Sequence, residues 1–240
     1  MNIKDKITIV IPSYNEEKYI EKTITSITKQ NNIIGTRVIV SDNNSTDNTK
    51  SIVLHLKEKY KSIINIEIIN GGTVSQGRNN GAIITTTKYI LFLDSDVQLL
   101  NKNTIDHTLF DMYHKHLDLL TCKVKCKGFD IRAHLIFMAF NPINELISLK
   151  KPFAVGTYFL TKKDKFFEHG MFDESLHHSE DYVLSQKYDP KKFHISKYHI
   201  TQDNRRFKKT GYFGMIKLVV NGFFNKNNID YYKKDIGYWK

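Results

Sequence analysis

Cysteine, proline and tryptophan are scarce in this chain of 240 residues, at two, four and one. The two cysteines, Cys122 and Cys126, lie four apart in a lysine-rich run and allow one disulfide at most, which excludes a disulfide-stapled scaffold. As a lone pair they lack the spacing of a metal site, so a structural role is expected. No secretory signal stands at the N-terminus, and a reducing cytosol is the expected compartment. Long apolar runs are missing as well. The longest clean one, Leu135–Phe140, falls far short of the ~20 residues that a membrane span needs. Neither a Walker loop nor a G-x-G-x-x-G run occurs, which argues against a kinase-type phosphate cradle and a dinucleotide site. No internal repeat and no Pro/Gly/Ser linker divides the chain.

Acidic residues are also few: Asp and Glu number 25 against 36 Lys and Arg, a formal charge of +11. Such an excess implies an anionic partner, whether nucleic acid, a membrane surface or a phosphorylated substrate. It is unevenly placed. Residues 186–240 carry a net +9 and the first 185 only +2. The same C-terminal stretch holds 12 of the 29 aromatic residues, interleaved with lysine.

What is plentiful is apolar patterning, at 40% hydrophobic residues. Ile7–Ile11 is a β-branched run suited to a strand covered on both faces. Residues 16–30 follow with Ile20, Ile24 and Ile27 on one helical face. Arg37–Val40 reads as a strand, and Ile52, Val53, Leu56 and Tyr60 form the stripe of a second helix. Ile63–Ile69 is a third strand, Gly81–Thr87 the tail of a short helix, and Tyr89–Leu93 a fourth strand. This alternation predicts an α/β fold with a largely parallel sheet. Beyond residue 100 the expectations are a helix over 103–116 and a strand over Leu119–Lys125. An apolar stretch, Ala133–Leu149, is interrupted at Asn141-Pro142, and a strand over Ala154–Leu160 follows. A short helix over Ser179–Lys187 and a final helix marked by Ile216, Val219, Val220, Phe223 and Phe224 complete the pattern. One domain over 1–210, with halves dividing near residue 100, would carry a basic extension over 211–240.

In parallel α/β sheets, ligands bind beyond the C-terminal strand ends. The unusual polar clusters fall there. They are Pro12-Ser13-Tyr14-Asn15-Glu16, Asp42-Asn43-Asn44-Ser45, Gly77-Arg78-Asn79-Asn80-Gly81 and Asp94-Ser95-Asp96-Val97-Gln98. Turns and helix caps explain each cluster alone but not four in series. Asp94 and Asp96, one residue apart, repel one another unless a cation lies beside them. Their hard oxygens suit Mg2+ or Mn2+ holding a diphosphate, and Gln98 offers one more oxygen. Asp42 and Asn43 place an acceptor beside a donor, as a nucleobase edge or ribose requires. Arg78, between glycines, suits a phosphate that the backbone approaches closely.

The run ITIVIPSYNEEKYI, then VSDNNSTDNT, GRNNGA and YILFLDSDVQ resembles the nucleotide-binding half of family 2 glycosyltransferases with the GT-A fold, over residues 7–98. The resemblance implies an inverting, metal-dependent transfer of a sugar from a UDP- or GDP-linked donor to a hydroxyl acceptor. It places Pro12, Tyr14, Glu16, Asp42, Asn43 and Arg78 around the nucleotide, and Asp94, Asp96 and Gln98 at the metal. The family's Asp-Asp-Gly-Ser is replaced by Asp42-Asn43-Asn44-Ser45, and Asn43 can still pair with a base. Gly156-Thr157, Phe172-Asp173-Glu174 and Glu180-Asp181 resemble the acceptor side, with Asp181 as general base and Glu180 its neighbour. His199 or His194 would complete the metal site. Arg205-Arg206 resembles a basic pair that would meet pyrophosphate or a phospholipid.

Two other classes stay open on sequence alone. A sugar-nucleotide nucleotidyltransferase shares a related core, yet begins with a Gly-rich basic loop that Pro12-Ser13-Tyr14-Asn15 does not provide. A non-catalytic basic module for membrane or nucleic acid would use the C-terminal Lys and aromatics. With the near-neutral first 185 residues holding the candidate site, the charged tail is expected to meet a lipid-linked acceptor or an anionic membrane rather than nucleic acid. The expected location is cytoplasmic, peripheral on a membrane's inner face.

Overall fold

The computed structural model describes residues 3–214, 217, 221–222, 225 and 228–235, except for the Arg206 side chain. Strand and helix alternate through the first half: β1 (Ile7–Ser13), α1 (Ile20–Thr28), β2 (Thr36–Asp42), α2 (Thr49–Lys59), β3 (Ile64–Asn70), α3 (Val74–Ile83) and β4 (Tyr89–Leu93). Every residue of β1 and β4 is buried, the mark of strands covered on both faces. The second half adds α4 (Thr104–His114), β5 (Leu119–Cys126), α5 (Ile131–Ser148), β6 (Tyr158–Lys162), α6 (Lys163–Glu168) and α7 (Glu180–Ser185). A 3-10 turn at Pro190–Lys192, β7 (Phe193–Gln202), α8 (Arg205–Thr210) and a helical turn at Ile229–Tyr232 follow.

One seven-stranded sheet, ordered β3-β2-β1-β4-β6-β5-β7, runs through both halves. β1 pairs in parallel with β2 and β4, and β2 with β3. β6 is reversed against both β4 and β5, while β5 and β7 are parallel again. Layers of helix cover a core in which Ile20, Ile24 and Ile27 of α1 and Val53 and Leu56 of α2 meet the sheet, as their spacing predicts. Cys122 and Cys126 are free thiols, both buried in the packing of β5, and burial pushes both thiol pKa values up.

Three local expectations change. The stretch around Asn141-Pro142 is one continuous helix, α5. Pro142 removes one backbone donor, and Asn141 pins the helix to the sheet by exchanging two 3.0 Å hydrogen bonds with the Val124 backbone. The sixth strand begins at Tyr158 rather than Ala154; residues 156–157 form a turn closed by Tyr158 N–H donating to Val155 O at 3.1 Å. The Gly77–Gly81 run is helical, inside α3, and Gly81 packs closely against β1. A Cβ on Gly81 would lie 2.4 Å from Val10 Cγ1 of β1. α3 starts at a capping box in which Thr73 and Gln76 exchange side-chain and backbone bonds. The helix expected over 216–224 lies largely outside the described residues.

Candidate active site

The C-terminal ends of β1, β2 and β4 converge, because parallel register sets Ser13 beside Asp42 and joins β1 to β4 directly. Asn43 N–H donates to Ser13 O (2.9 Å), closing the floor of this crevice. Pro12 is buried beneath it and Tyr14 stands half exposed. Asp42 accepts from Ser45 twice, from Oγ at 2.6 Å and from N–H at 3.0 Å. A base or ribose contacting Asp42 would therefore share oxygens already used by its own turn. A cavity of about 170 Å³ opens here, with Asp42, Ser45, Lys50 and Asn70 among its walls.

Arg78 is the most deeply set of the site residues, at 1% exposure. Its Nη2 donates to Asp94 Oδ1 at 2.7 Å and its Nη1 to Glu180 Oε1 at 2.5 Å. Burial on its own would lower the guanidinium pKa; the charges of Asp94, Glu180 and Asp181 outweigh it and raise the value. The ring of Phe172 lies under the guanidinium at 5.1 Å. Next to it, Asn79 Nδ2 donates to Phe172 O and to Glu174 Oε1, each at 2.9 Å, and Asn79 Oδ1 accepts from Phe172 N–H. One turn of α3 thus fastens the β4 carboxylates to the Phe172-Asp173-Glu174 and Glu180-Asp181 segments. Asn79 was legible only as part of the Gly-rich run; nothing in the sequence assigned it this clamp.

Asp181 lies in the first turn of α7, partly open to solvent yet closely surrounded by protein. Its Oδ2 accepts from Gly156 N–H at 2.5 Å and its Oδ1 from its neighbour Tyr182 N–H at 2.7 Å. Burial, and then the charge of Glu180, push its pKa up to about 6, against the lowering pull of Arg78 and the two N–H donors. Gly156 lets these side chains close in: a Cβ there would meet Arg78 Nη2 at 2.6 Å and Asp181 Oδ2 at 3.1 Å, so one of them would have to shift. Beside it, the buried Thr157 hydroxyl has no hydrogen-bond partner among the described residues.

Asp96, 3% exposed, sits past β4 on a loop held by a Thr23 Oγ1 to Ser95 O bond of 2.7 Å. Arg205 of α8 reaches across to it, with Nη2 3.1 Å from Asp96 Oδ2. The same guanidinium grips Glu16 by both oxygens, at 2.7 and 2.5 Å, and lies 4.8 Å over the Tyr19 ring. So Glu16 is turned to Arg205, and Tyr19, which no sequence signal singled out, supports that arginine. The Arg206 side chain lies outside the described residues.

Gln98 pairs its backbone with Thr201 of β7, N–H to O at 3.0 Å and back at 3.1 Å. His199 is two residues upstream on β7 and registers with Lys123 of β5. Burial, then the charges of Lys125 and Lys123, lower its pKa. His194, at the other end of β7, lies 3.3 Å from Lys115 Nζ. Among the described residues no three His, Cys, Asp or Glu side chains group closely enough to hold an ion between them. The donors that fit a hard cation are Asp94 and Asp96. Asp94 uses only Oδ1 on Arg78, leaving Oδ2 without a partner among the described residues. Such a pair suits Mg2+ or Mn2+ with further positions taken by phosphate and water.

The profile of Glycosyl transferase family 2 matches residues 8–170. The chain belongs to that family. The fold is that of GT-A glycosyltransferases. Staphylococcus aureus TarS (residues 1–349, in complex with UDP-GlcNAc) superposes with a TM-score of 0.61 at 24% identity, over 82% of this chain and 58% of that one. The mannosyltransferase PcManGT of Pyrobaculum calidifontis, in complex with GDP-Man and Mn2+, gives 0.66 at 16% identity, over 89% and 64%. In sequence, the GalNAc(5)-diNAcBac-PP-undecaprenol beta-1,3-glucosyltransferase of Campylobacter jejuni is 25% identical over 98% of this family 2 chain and 81% of its own length. The chain thus spans most of that relative but under two thirds of either solved structure.

Proposed function

We propose that this family 2 chain moves a sugar, with inversion, from a UDP- or GDP-linked donor to a hydroxyl acceptor. The observation that carries the reading is Asp181, a carboxylate with its pKa pushed up to about 6, beside Glu180, which shares Arg78 with Asp94. In the proposed reaction Asp181 takes the acceptor hydroxyl's proton as that oxygen bonds to the anomeric carbon, and the carbon's bond to the diphosphate breaks on the opposite face. Gly156 and Tyr182 N–H groups orient the carboxylate, and Glu180 keeps Arg78 in place behind it. Pro12, Tyr14, Glu16, Asp42 and Asn43 would line the nucleoside.

Asp94 and Asp96 would hold Mg2+ or Mn2+, which when bound would offset the charge of the departing diphosphate. His199, beside two lysines, is left outside this set. PcManGT's complex with Mn2+ supports a divalent ion. The Campylobacter relative's undecaprenol-linked substrate supports a lipid-linked acceptor met at the inner face of a membrane. The basic C-terminal segment would meet that lipid's phosphates, with the Arg205-Arg206 pair ahead of it.

The test is the anomeric configuration of sugar released from α-linked UDP- and GDP-sugars with Mn2+, water standing in for the acceptor. Proton NMR should show the β anomer first, and Asp181→Asn should release none. First appearance of the α anomer would overturn inversion.

A further inference from the structure

The α5 helix packs on the sheet through one face, where Ala133, Asn144 and Ser148 are buried, and turns an apolar face outward. Ile131, Leu135, Met138, Ile143, Leu146 and Leu149 are all more than half exposed. Their spacing of three to five residues, from the first residue of α5 to its C-cap Leu149, makes one stripe along a helix about 27 Å long. An outward face normally carries charge; this one reverses the pattern over five turns. No described helix is long and apolar enough to cross a membrane, so the stripe is not part of a span.

The borders of the stripe are cationic. At its start a cavity of about 580 Å³ gathers Lys127, Arg132 and Lys208, with Phe129 fully exposed at the rim. Of the carboxylates there, Asp130 is tied to Asn204 and Tyr212, and Asp203 accepts from the Arg205 N–H. At the far end stand Lys150 and Lys151, both exposed. Glu145, the one acid within the helix, is paired with Lys123 Nζ at 2.8 Å. An apolar stripe with cations at both ends matches the acyl boundary and headgroups of an anionic bilayer. A second copy laid antiparallel on the stripe would instead bring Lys150 and Lys151 against Lys127 and Arg132, like charge on like.

The geometry points to α5 as a membrane-docking helix that lies in the surface of an anionic bilayer, its stripe in the acyl boundary and its basic ends among the headgroups. This goes beyond the proposed transfer chemistry and does not rest on it. The test is flotation of the full chain with vesicles of phosphatidylglycerol and phosphatidylcholine in equal parts, beside vesicles of phosphatidylcholine alone.

The parent should partition at least about tenfold better onto the anionic vesicles, and Leu135→Asp with Leu146→Asp should lose about that factor while keeping its circular dichroism and melting temperature. Lys150→Glu with Lys151→Glu should weaken anionic binding without that insertion of charge into the stripe. Equal flotation of the Leu135→Asp/Leu146→Asp variant, or no flotation of the parent, would overturn the assignment. So would a parent dimer that this variant converts to monomer without any vesicle binding. Flotation reads no turnover, so its failure and a failure of the transfer reading are distinguishable.

Discussion

Arg78 and Glu180, 102 positions apart, meet at 2.5 Å, and this contact ties the carboxylates past β4 to the start of α7. Because the pair is buried, its removal is costly from either side. Arg78→Ala should leave Asp94 and Glu180 facing one another without a cation, destabilising the fold by about 3–5 kcal/mol. Arg78→Lys keeps charge but supplies one ammonium where two planar N–H groups reach two carboxylates, and should recover only part of that. Urea denaturation of the two variants checks the order; equal stability of parent and Arg78→Ala would remove the pair from the account.

Gly156→Ala is a sharper probe of the same junction. Its methyl group would sit 2.6 Å from Arg78 Nη2, a buried guanidinium already held by Asp94 and Glu180, and 3.1 Å from Asp181 Oδ2. The expected result is a loss of about 1–3 kcal/mol in stability and a still larger loss in kcat, since the N–H that orients Asp181 moves with the backbone. Chemical denaturation and steady-state donor hydrolysis measure both.

The pH dependence follows from Asp181, whose pKa lies near 6 rather than at the ordinary 3.8. A base must be ionised, so kcat/KM should rise with pH and level off above about 6, with one proton lost. Folding has the opposite sign. A carboxylate with a raised folded pKa favours the native state most below its unfolded value, and that contribution is lost as pH rises through about 6. Asp181→Asn should therefore abolish the kinetic limb, while its melting temperature gains on the parent's between pH 5 and 7. A parent profile flat from pH 5 to 8 would contradict the role.

At the proposed metal site, Arg205 would compete with a cation. Its guanidinium occupies both Glu16 oxygens and approaches Asp96 Oδ2 at 3.1 Å. Arg205→Ala should leave Asp96 more open to a divalent ion, lowering the Mn2+ concentration that half-stabilises the nucleotide-free chain by about threefold to tenfold. A thermal-shift titration with MnCl2 is the check; a weakened response would mean that Arg205 helps to order the carboxylates instead.

The first half of the fold was legible because parallel strands covered on both faces leave long β-branched runs, as in Ile7–Ile11 and Tyr89–Leu93. The second half was less so, because β6 is reversed and begins after a segment, Ala154 to Thr157, that reads equally well as strand. Asp94 and Asp96 stood out by their repulsion at a strand end. The roles of Arg78 and Asn79 did not, because Glu180, Phe172 and Glu174 lie 93 to 102 residues away and only tertiary packing brings them together. Glu16 and Arg205 were each picked out as ligand contacts, yet their mutual grip depends on α8 meeting the segment after β1, 189 residues earlier in the chain. The outward apolar face of α5 showed in the sequence merely as a greasy stretch, since burial cannot be read from hydrophobicity alone.

Calorimetric titration of UDP- and GDP-sugars into the parent and into Asp96→Ala, each with Mn2+ and with EDTA, tests the nucleotide-sugar site most directly. The account predicts that a nucleotide sugar binds the parent only with Mn2+, and that Asp96→Ala or EDTA weakens it by at least about fiftyfold. Equal affinity in Asp96→Ala, or no binding of any nucleotide sugar to the parent with Mn2+, would contradict it.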